Sequence, residues 1–180
     1  GLFYKYNFTV EESTPLETQV SIDPEMLGKV FEELVTGRNE SGAFYTPKNI
    51  VEYMVKSSLA EHLNNKELVL LGKFKNKDKN KYLENLKSLK ILDPACGSGA
   101  YLLGMMNELV NLYKLLENLN EEDDDIYRIK LEIIQNNLYG VDIDSVAIEI
   151  AKLRLWLTLV VEYKGTKPEP LPNLNFKIEN

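Results

Sequence analysis

Cysteine, histidine and tryptophan each occur once in these 180 residues. The single cysteine, Cys96, excludes an internal disulfide and a cysteine-built zinc site, so the composition suits a reducing cytoplasm. Long apolar runs are also missing. A membrane-spanning helix needs about 18 or more apolar residues, and the best candidate, 153–161, is broken by Arg154 and Thr158. The start of the chain lacks the charged segment and long apolar stretch of a signal peptide. Positive charge is scarce, with 21 Lys and Arg against 28 Asp and Glu and a net charge of -7. That balance argues against this segment alone clamping a phosphate backbone, because such clamps show a basic face. What is present is ordinary for one globular domain: 44% of residues are apolar, enough for a core. The chain begins with glycine, and 175–179 reads as a strand just starting, so a fragment of a longer protein is expected.

Residues 2–22 mix aromatic and polar residues and read as a hairpin or extended arm. Asp23-Pro24 is a cap followed by a first-turn proline, and Met26, Leu27, Val30, Phe31, Leu34 and Val35 recur at helical spacing, which predicts an amphipathic helix over 24–36. Thr46-Pro47 repeats the signal, and Ile50, Val51, Met54, Val55 and Leu59 supply the apolar face of a second helix. Lysines alternating with Asn and Asp over 73–81 carry no apolar pattern and read as an exposed insertion. A strand near 89–92 follows, then a helix burying Leu102, Leu103, Met106, Leu109, Val110, Tyr113 and Leu116. The acids at 121–125 open a helix near 126–136. A second apolar strand, 138–143, leads to a helix capped by Asp144 or Ser145, with Val146, Ile150, Leu153, Leu157 and Val160 on one face. With a third strand at 175–179, strands and helices alternate, which predicts an α/β fold with a parallel sheet. Three regions result: an N-terminal arm and helices over 1–65, the lysine-rich insertion over 66–88, and an α/β unit over 89–180.

Residues 91–102, I-L-D-P-A-C-G-S-G-A-Y-L, are the most informative stretch. An apolar strand ends in Asp93, turns through Gly97 and Gly99 and enters a helix at Ala100. Glycines can take positive φ and let backbone N–H groups approach a ligand. The helix start aims free N–H groups and the positive end of its dipole at the same place. Asp93 and Asp142, at the carboxyl ends of adjacent strands, would flank one cradle, as ligand sites in open α/β sheets do. The alternative to ligand contact is that they serve as turn or cap residues. A dinucleotide fingerprint requires a third glycine and an acid about 20 residues on; here the third position is Leu102, and Asp142 comes too late. A Walker-type loop is absent, since no Gly-Lys-Ser/Thr follows. Cys96 reads as a small turn residue and His62 as a surface residue.

Three motifs in order, G-A-F-Y-T-P at 42–47, D-P-A-C-G-S-G at 93–99 and Y-G-V-D-I-D at 139–144, followed by Ala147, Ile150, Ala151, Arg154 and Leu155, resemble the adenine-specific DNA methyltransferases of restriction-modification systems. The segment D-P-E-M-L-G-K-V-F-E-E-L at 23–34 is similar to the large single-chain members, the Eco57I-like group with the type I and type IIG methylases. The resemblance covers about 7–180 and implies the N-terminal part of a Rossmann-like S-adenosylmethionine-dependent methyltransferase domain, a partial parallel sheet preceded by helices. It implies that Asp93, Ala95, Gly97 and Gly99 line the methionine part of S-adenosylmethionine. By the same resemblance Asp142 holds the ribose hydroxyls, Ile143 packs on the adenine ring, and Tyr45 and Thr46 close the amino-acid end, although the Thr46 hydroxyl could instead be a helix cap.

The implied reaction is methyl transfer to the N6 of an adenine flipped out of double-stranded DNA. Family enzymes do this with an Asn/Asp/Ser-Pro-Pro-Tyr/Phe loop, and these residues hold no such loop, so no catalytic residue is assigned. A specificity domain or subunit is the expected partner, with no membrane. Two other readings remain: a methyltransferase of the same fold acting on protein, RNA or a small molecule, and a noncatalytic assembly module.

Overall fold

The structure, a computed structural model, describes residues 46–120, 125–162 and 178–179, together with Met26 and Val30. Of the helix expected over 24–36, only those two residues are described; both are helical, and both are exposed. The rest of that helix, the arm at 2–22 and the acids at 121–124 lie outside the described residues.

Helix α1, Lys48–His62, starts at Pro47, whose fixed φ of -58° suits a helix entrance and whose carbonyl accepts from Ile50 and Val51. No side chain caps this end, so Thr46 is not the capping residue. Val51, Val55 and Leu59, one residue per turn, are buried. Ile50 and Met54 are 45% and 46% exposed, so the apolar face is narrower than expected. The cause is close approach to helix α4, Ala100–Glu117: a Cβ added at Gly104 would lie 2.4 Å from Val51 Cγ1. One row of side chains fits that contact, and its neighbours stay outside.

Residues 66–88 depart from the expected exposed insertion. They form α2, Lys66–Leu71, a 3-10 turn at Asn76–Asp78, and α3, Lys79–Ser88. Asn65 caps α2 by accepting from the Leu68 amide at 2.9 Å, and Gly72 ends it at φ +64°. Leu68, Val69, Leu83 and Leu86 are buried, while Lys73, Lys75, Lys77 and Lys81 remain exposed. Lysine-rich spacing hid two apolar anchors per helix. Each fully buried leucine is worth about 1.5–3 kcal/mol, more than the weak helix propensity of the surrounding residues costs.

Strands β1, Ile91–Asp93, β2, Leu138–Val141, and β3, Ile178–Glu179, pair in the order β1-β2-β3, all parallel. Asp93 lies opposite Gly140. The register is set at the amino ends of the strands. Asn137, 3% exposed, donates its Nδ2 to the carbonyls of Leu86 (2.9 Å) and Leu89 (2.7 Å), and its own carbonyl accepts from Ile91 at 2.8 Å. Helix α4 buries all seven side chains expected of it, along with Met105, Leu112 and Glu108. Helix α5, Asp125–Asn136, packs on α4 through Ile126, Ile129, Ile133 and Ile134, and α6, Ser145–Glu162, packs on both.

Helix α6 is turned differently from the expectation. Val146 and Leu153 are 57% and 41% exposed, whereas Ala147, Ile148, Ala151, Arg154, Leu155 and Leu159 are buried. Because α6 is apolar nearly all round, periodicity chose the stripe that avoids the arginine. The fold chose the stripe that contains it. The cap is Asp144, whose Oδ1 accepts from Val146 at 2.9 Å and from Ala147 at 3.3 Å. No described helix is long and apolar enough to cross a membrane.

Candidate functional site

The turn between β1 and α4 sits at the carboxyl edge of the sheet. Gly97 and Gly99 have φ of +51° and +83°, left-handed conformations that a side chain would strain. Their surroundings differ. Among the described residues nothing lies within 4 Å of a Cβ built at Gly97, whereas one at Gly99 would be 2.9 Å from Ala151 Cβ. Gly97 therefore faces open space, and Gly99 lets α6 pack against the turn. Gly99 is also the N-cap of α4, and no side chain caps that end. The amino end of α4 thus presents N–H groups and the positive end of its dipole without a side-chain acceptor from the cap.

Two carboxylates border the turn. Asp142 accepts from the Gly97 amide at 2.7 Å through Oδ2 and from the Asp144 amide at 2.9 Å through Oδ1. These two bonds orient the carboxylate. Asp93 accepts from Ala95 through Oδ1 at 3.2 Å, while its Oδ2 is buried without a hydrogen-bond partner. Burial pushes the Asp93 carboxyl above its usual range; the Ala95 N–H pulls it down, and the Asp142 charge raises it further. An unsatisfied buried acceptor costs about 1–3 kcal/mol, and a donor from a ligand would recover that. Ile143, next to Asp142, is 95% exposed, a large apolar side chain left in water at the rim.

Beneath the turn lies a contact that the sequence reading missed. Arg154 of α6, 2% exposed, donates through one guanidinium nitrogen to the Ser98 carbonyl (2.7 Å) and hydroxyl (3.1 Å), and Ser98 is itself 2% exposed. The available signal was a charge inside the apolar run 153–161, since a buried charge has to be held by hydrogen bonds. Cys96 completes the underside: it is 5% exposed, its amide donates to Val141 at 3.0 Å, and a Cβ at Gly140 would come within 3.0 Å of its Sγ. Burial, with the charges of Asp93 and Asp142, pushes its thiol up to about 12.

The structure brings Asp93, Ala95, Gly97, Gly99, Asp142 and Ile143 to one edge of the sheet. Tyr45 lies outside the described residues. Thr46 lines a cavity of about 540 Å³ between α1, α4 and α6, together with Ala100, Gly104, Glu108 and Arg154. This cavity adjoins the start of α4 but is not lined by Asp93, Gly97 or Asp142, so the glycine turn is an open rim beside it. Among the described residues there is no group of three or more His, Cys, Asp or Glu placed to hold a metal ion.

Over residues 71–169, more than half of the chain and a span that includes the turn, both acids and Arg154, the sequence matches the family described as MmeI, DNA-methyltransferase domain. The chain belongs to this MmeI methyltransferase-domain family. It is similar to the "Putative type II restriction enzyme and methyltransferase RM.MjaORFECS2P" of Methanocaldococcus jannaschii, with 37% identity covering 97% of this chain and 17% of that protein. It is 27% identical to "DNA methyltransferase A" of Bacillus subtilis, over 76% of this chain and 16% of the relative. A shorter stretch, 36% of the chain, is 38% identical to the "Adenine-specific methyltransferase BrxX" of Escherichia coli and covers 5% of it. This MmeI-family chain thus spans about a sixth of the length of the first two relatives.

Proposed function

We propose that this chain forms the S-adenosylmethionine-binding part of a Rossmann-like, site-specific DNA adenine-N6 methyltransferase of a restriction-modification system. The observation that carries this reading is the glycine turn: Gly97 opens onto free space, Asp142 is fixed to its amide, and the buried Asp93 Oδ2 lacks a donor. These features fit the cofactor. Asp93 would accept from donors on its methionine part, Ala95, Gly97 and Gly99 would line that part, and Asp142 would accept from the ribose hydroxyls. Ile143 would cover one face of the adenine and lose its exposure to water, and Tyr45 and Thr46 would close the amino-acid end. When bound, the cofactor supplies a methyl group on a positively charged sulfur, and the two carboxylates at the rim favour a cation.

The adenine amino nitrogen is a weak nucleophile that needs acceptors placed around it, and this sequence contains no Pro-Pro-Tyr/Phe loop to supply them. The chain by itself therefore binds cofactor without transferring a methyl group, and its net charge of -7 leaves the grip on double-stranded DNA to other parts of the protein, such as a specificity domain or subunit. Calorimetric titration with S-adenosylmethionine and with S-adenosylhomocysteine tests the site. Saturable 1:1 binding, lost in Asp142→Ala, supports the reading; a folded chain that takes up neither compound overturns it. Incorporation of labelled methyl groups into the N6 of DNA adenine by the full-length protein tests the reaction.

A further inference from the structure

Among the described residues, one contiguous segment running from the end of β2 into α6, 141–154, shapes the glycine turn from outside it. The Val141 carbonyl takes the Cys96 amide, Asp142 takes the Gly97 amide, Ala151 abuts Gly99, and Arg154 takes the Ser98 carbonyl and hydroxyl. Three of these involve short groups held close to the backbone. Arg154 is different, because a long cationic side chain is 98% withdrawn from water (2% exposed) where it donates to Ser98. Burying a guanidinium is costly, and charge-assisted bonds to a carbonyl and a hydroxyl offset that cost only when both are well placed. Arg154 therefore constrains Ser98 strongly. Ser98 lies between the two left-handed glycines, so the plane of its carbonyl is tied to the φ of Gly99 on one side and follows from Gly97 on the other.

We propose that Arg154 is the positioning residue of the cofactor turn: by drawing the Ser98 carbonyl into the core it fixes the peptide orientation at Gly97 and Gly99 and leaves the outer side of the turn clear for the ligand. This rests on the cofactor reading above. Without the guanidinium, the Ser98 carbonyl loses the bonds that turn it inward; an outward rotation would bring its oxygen to the ligand and take the Gly97 amide out of line with Asp142. A lysine keeps the charge but presents a single ammonium without the planar fork, so it restores the hold only in part.

Arg154→Lys, Arg154→Met and Ser98→Ala in the full chain test this with three measurements: urea midpoint, calorimetric affinity for S-adenosylhomocysteine, and the amide resonances of Gly97 and Gly99 in nitrogen-15 spectra. Ser98→Ala, which keeps the carbonyl, is expected to weaken affinity about threefold. Arg154→Lys is expected to weaken it about tenfold, the loss of roughly one hydrogen bond. Arg154→Met should weaken it a further tenfold or more, with displaced Gly97 and Gly99 resonances in both arginine variants. Lowered urea midpoints with unchanged affinity and unmoved glycine resonances would reduce Arg154 to a packing residue and overturn the proposal. If Arg154→Met fails to fold, Arg154→Lys and Ser98→Ala decide the matter by the same criteria. If the unaltered chain binds no cofactor, the cofactor reading fails, and the glycine resonances alone decide whether Arg154 sets the turn.

Discussion

The Gly97 amide donates to Asp142 Oδ2 at 2.7 Å, a bond between residues 45 apart that ties the glycine turn to the end of the neighbouring strand. A carboxylate bonded to two backbone amides is a brace, and in the proposed cofactor site it is a ligand group as well. Asp142→Ala is expected to lower stability by about 1–3 kcal/mol, since it leaves the Gly97 and Asp144 amides without their acceptor. Asp142→Asn should recover part of that loss, because its amide oxygen can still accept one of the two. Cofactor affinity should fall more than tenfold in both. Urea unfolding and calorimetric titration of the two variants check this, and an Asp142→Ala chain as stable as the parent would refute the bracing role.

The two glycines of the turn should respond differently to alanine. Gly97→Ala meets no atom of the described residues within 4 Å and carries the cost of φ +51°, about 1–2 kcal/mol. Gly99→Ala adds a 2.9 Å contact with Ala151 Cβ to a φ of +83°, for a total of about 2–5 kcal/mol. Gly97→Ala should therefore affect ligand affinity more than stability, and Gly99→Ala should do the reverse. Equal losses of stability in the two variants would contradict this division.

Asp93 makes stability depend on pH in a direction opposite to that of a salt-bridged acid. Its folded carboxyl titrates above the ordinary value because of burial, so between those two values the folded chain holds a proton that the unfolded chain has released. Stability from this group declines as pH rises through that window and stays lost at neutral pH. Asp93→Asn is expected to raise the urea midpoint at pH 7, with the gain vanishing below about pH 3.9, where the unfolded carboxyl is also protonated. The same change should abolish cofactor binding. A midpoint at pH 7 that is unchanged or lower in the variant would rule this out.

Cys96 should behave as an inert thiol. Its pKa, pushed up to about 12, and its 5% exposure leave almost no thiolate near neutral pH. Alkylation at pH 8 should proceed only as fast as the turn opens, and should accelerate steeply across the urea transition. Rapid labelling of the native chain would show that the turn opens without global unfolding.

The site could be read from sequence to the extent that its signals are local. A strand ending in an acid, two glycines and a helix start need only a dozen residues to be recognised, and Asp144 sits directly before the helix it caps. What escaped recognition depends on contacts across the fold. Residues 66–88 look like a solvated lysine loop until Leu68, Leu83 and Leu86 find the core. The rotation of α6 could not be read from periodicity, because its apolar residues surround the axis; Ser98, 56 residues away in sequence, decides that Arg154 points inward. The narrow face of α1 follows from a single glycine on another helix, Gly104.

The Asn137 clasp acts as a ruler for the cradle at the far end of the strands. It ties the Leu86 and Leu89 carbonyls to the start of β2 and takes the Ile91 amide, and Asp93 then emerges opposite Gly140, two residues before Asp142. A slip of one residue between the strands would turn every side chain of one of them to the other face and separate the two acids. Residues at the opposite end of the strands thus decide whether Asp93 and Asp142 share a rim. An engineer who wished to redirect specificity at the glycine turn would have to leave the opposite end of the sheet untouched.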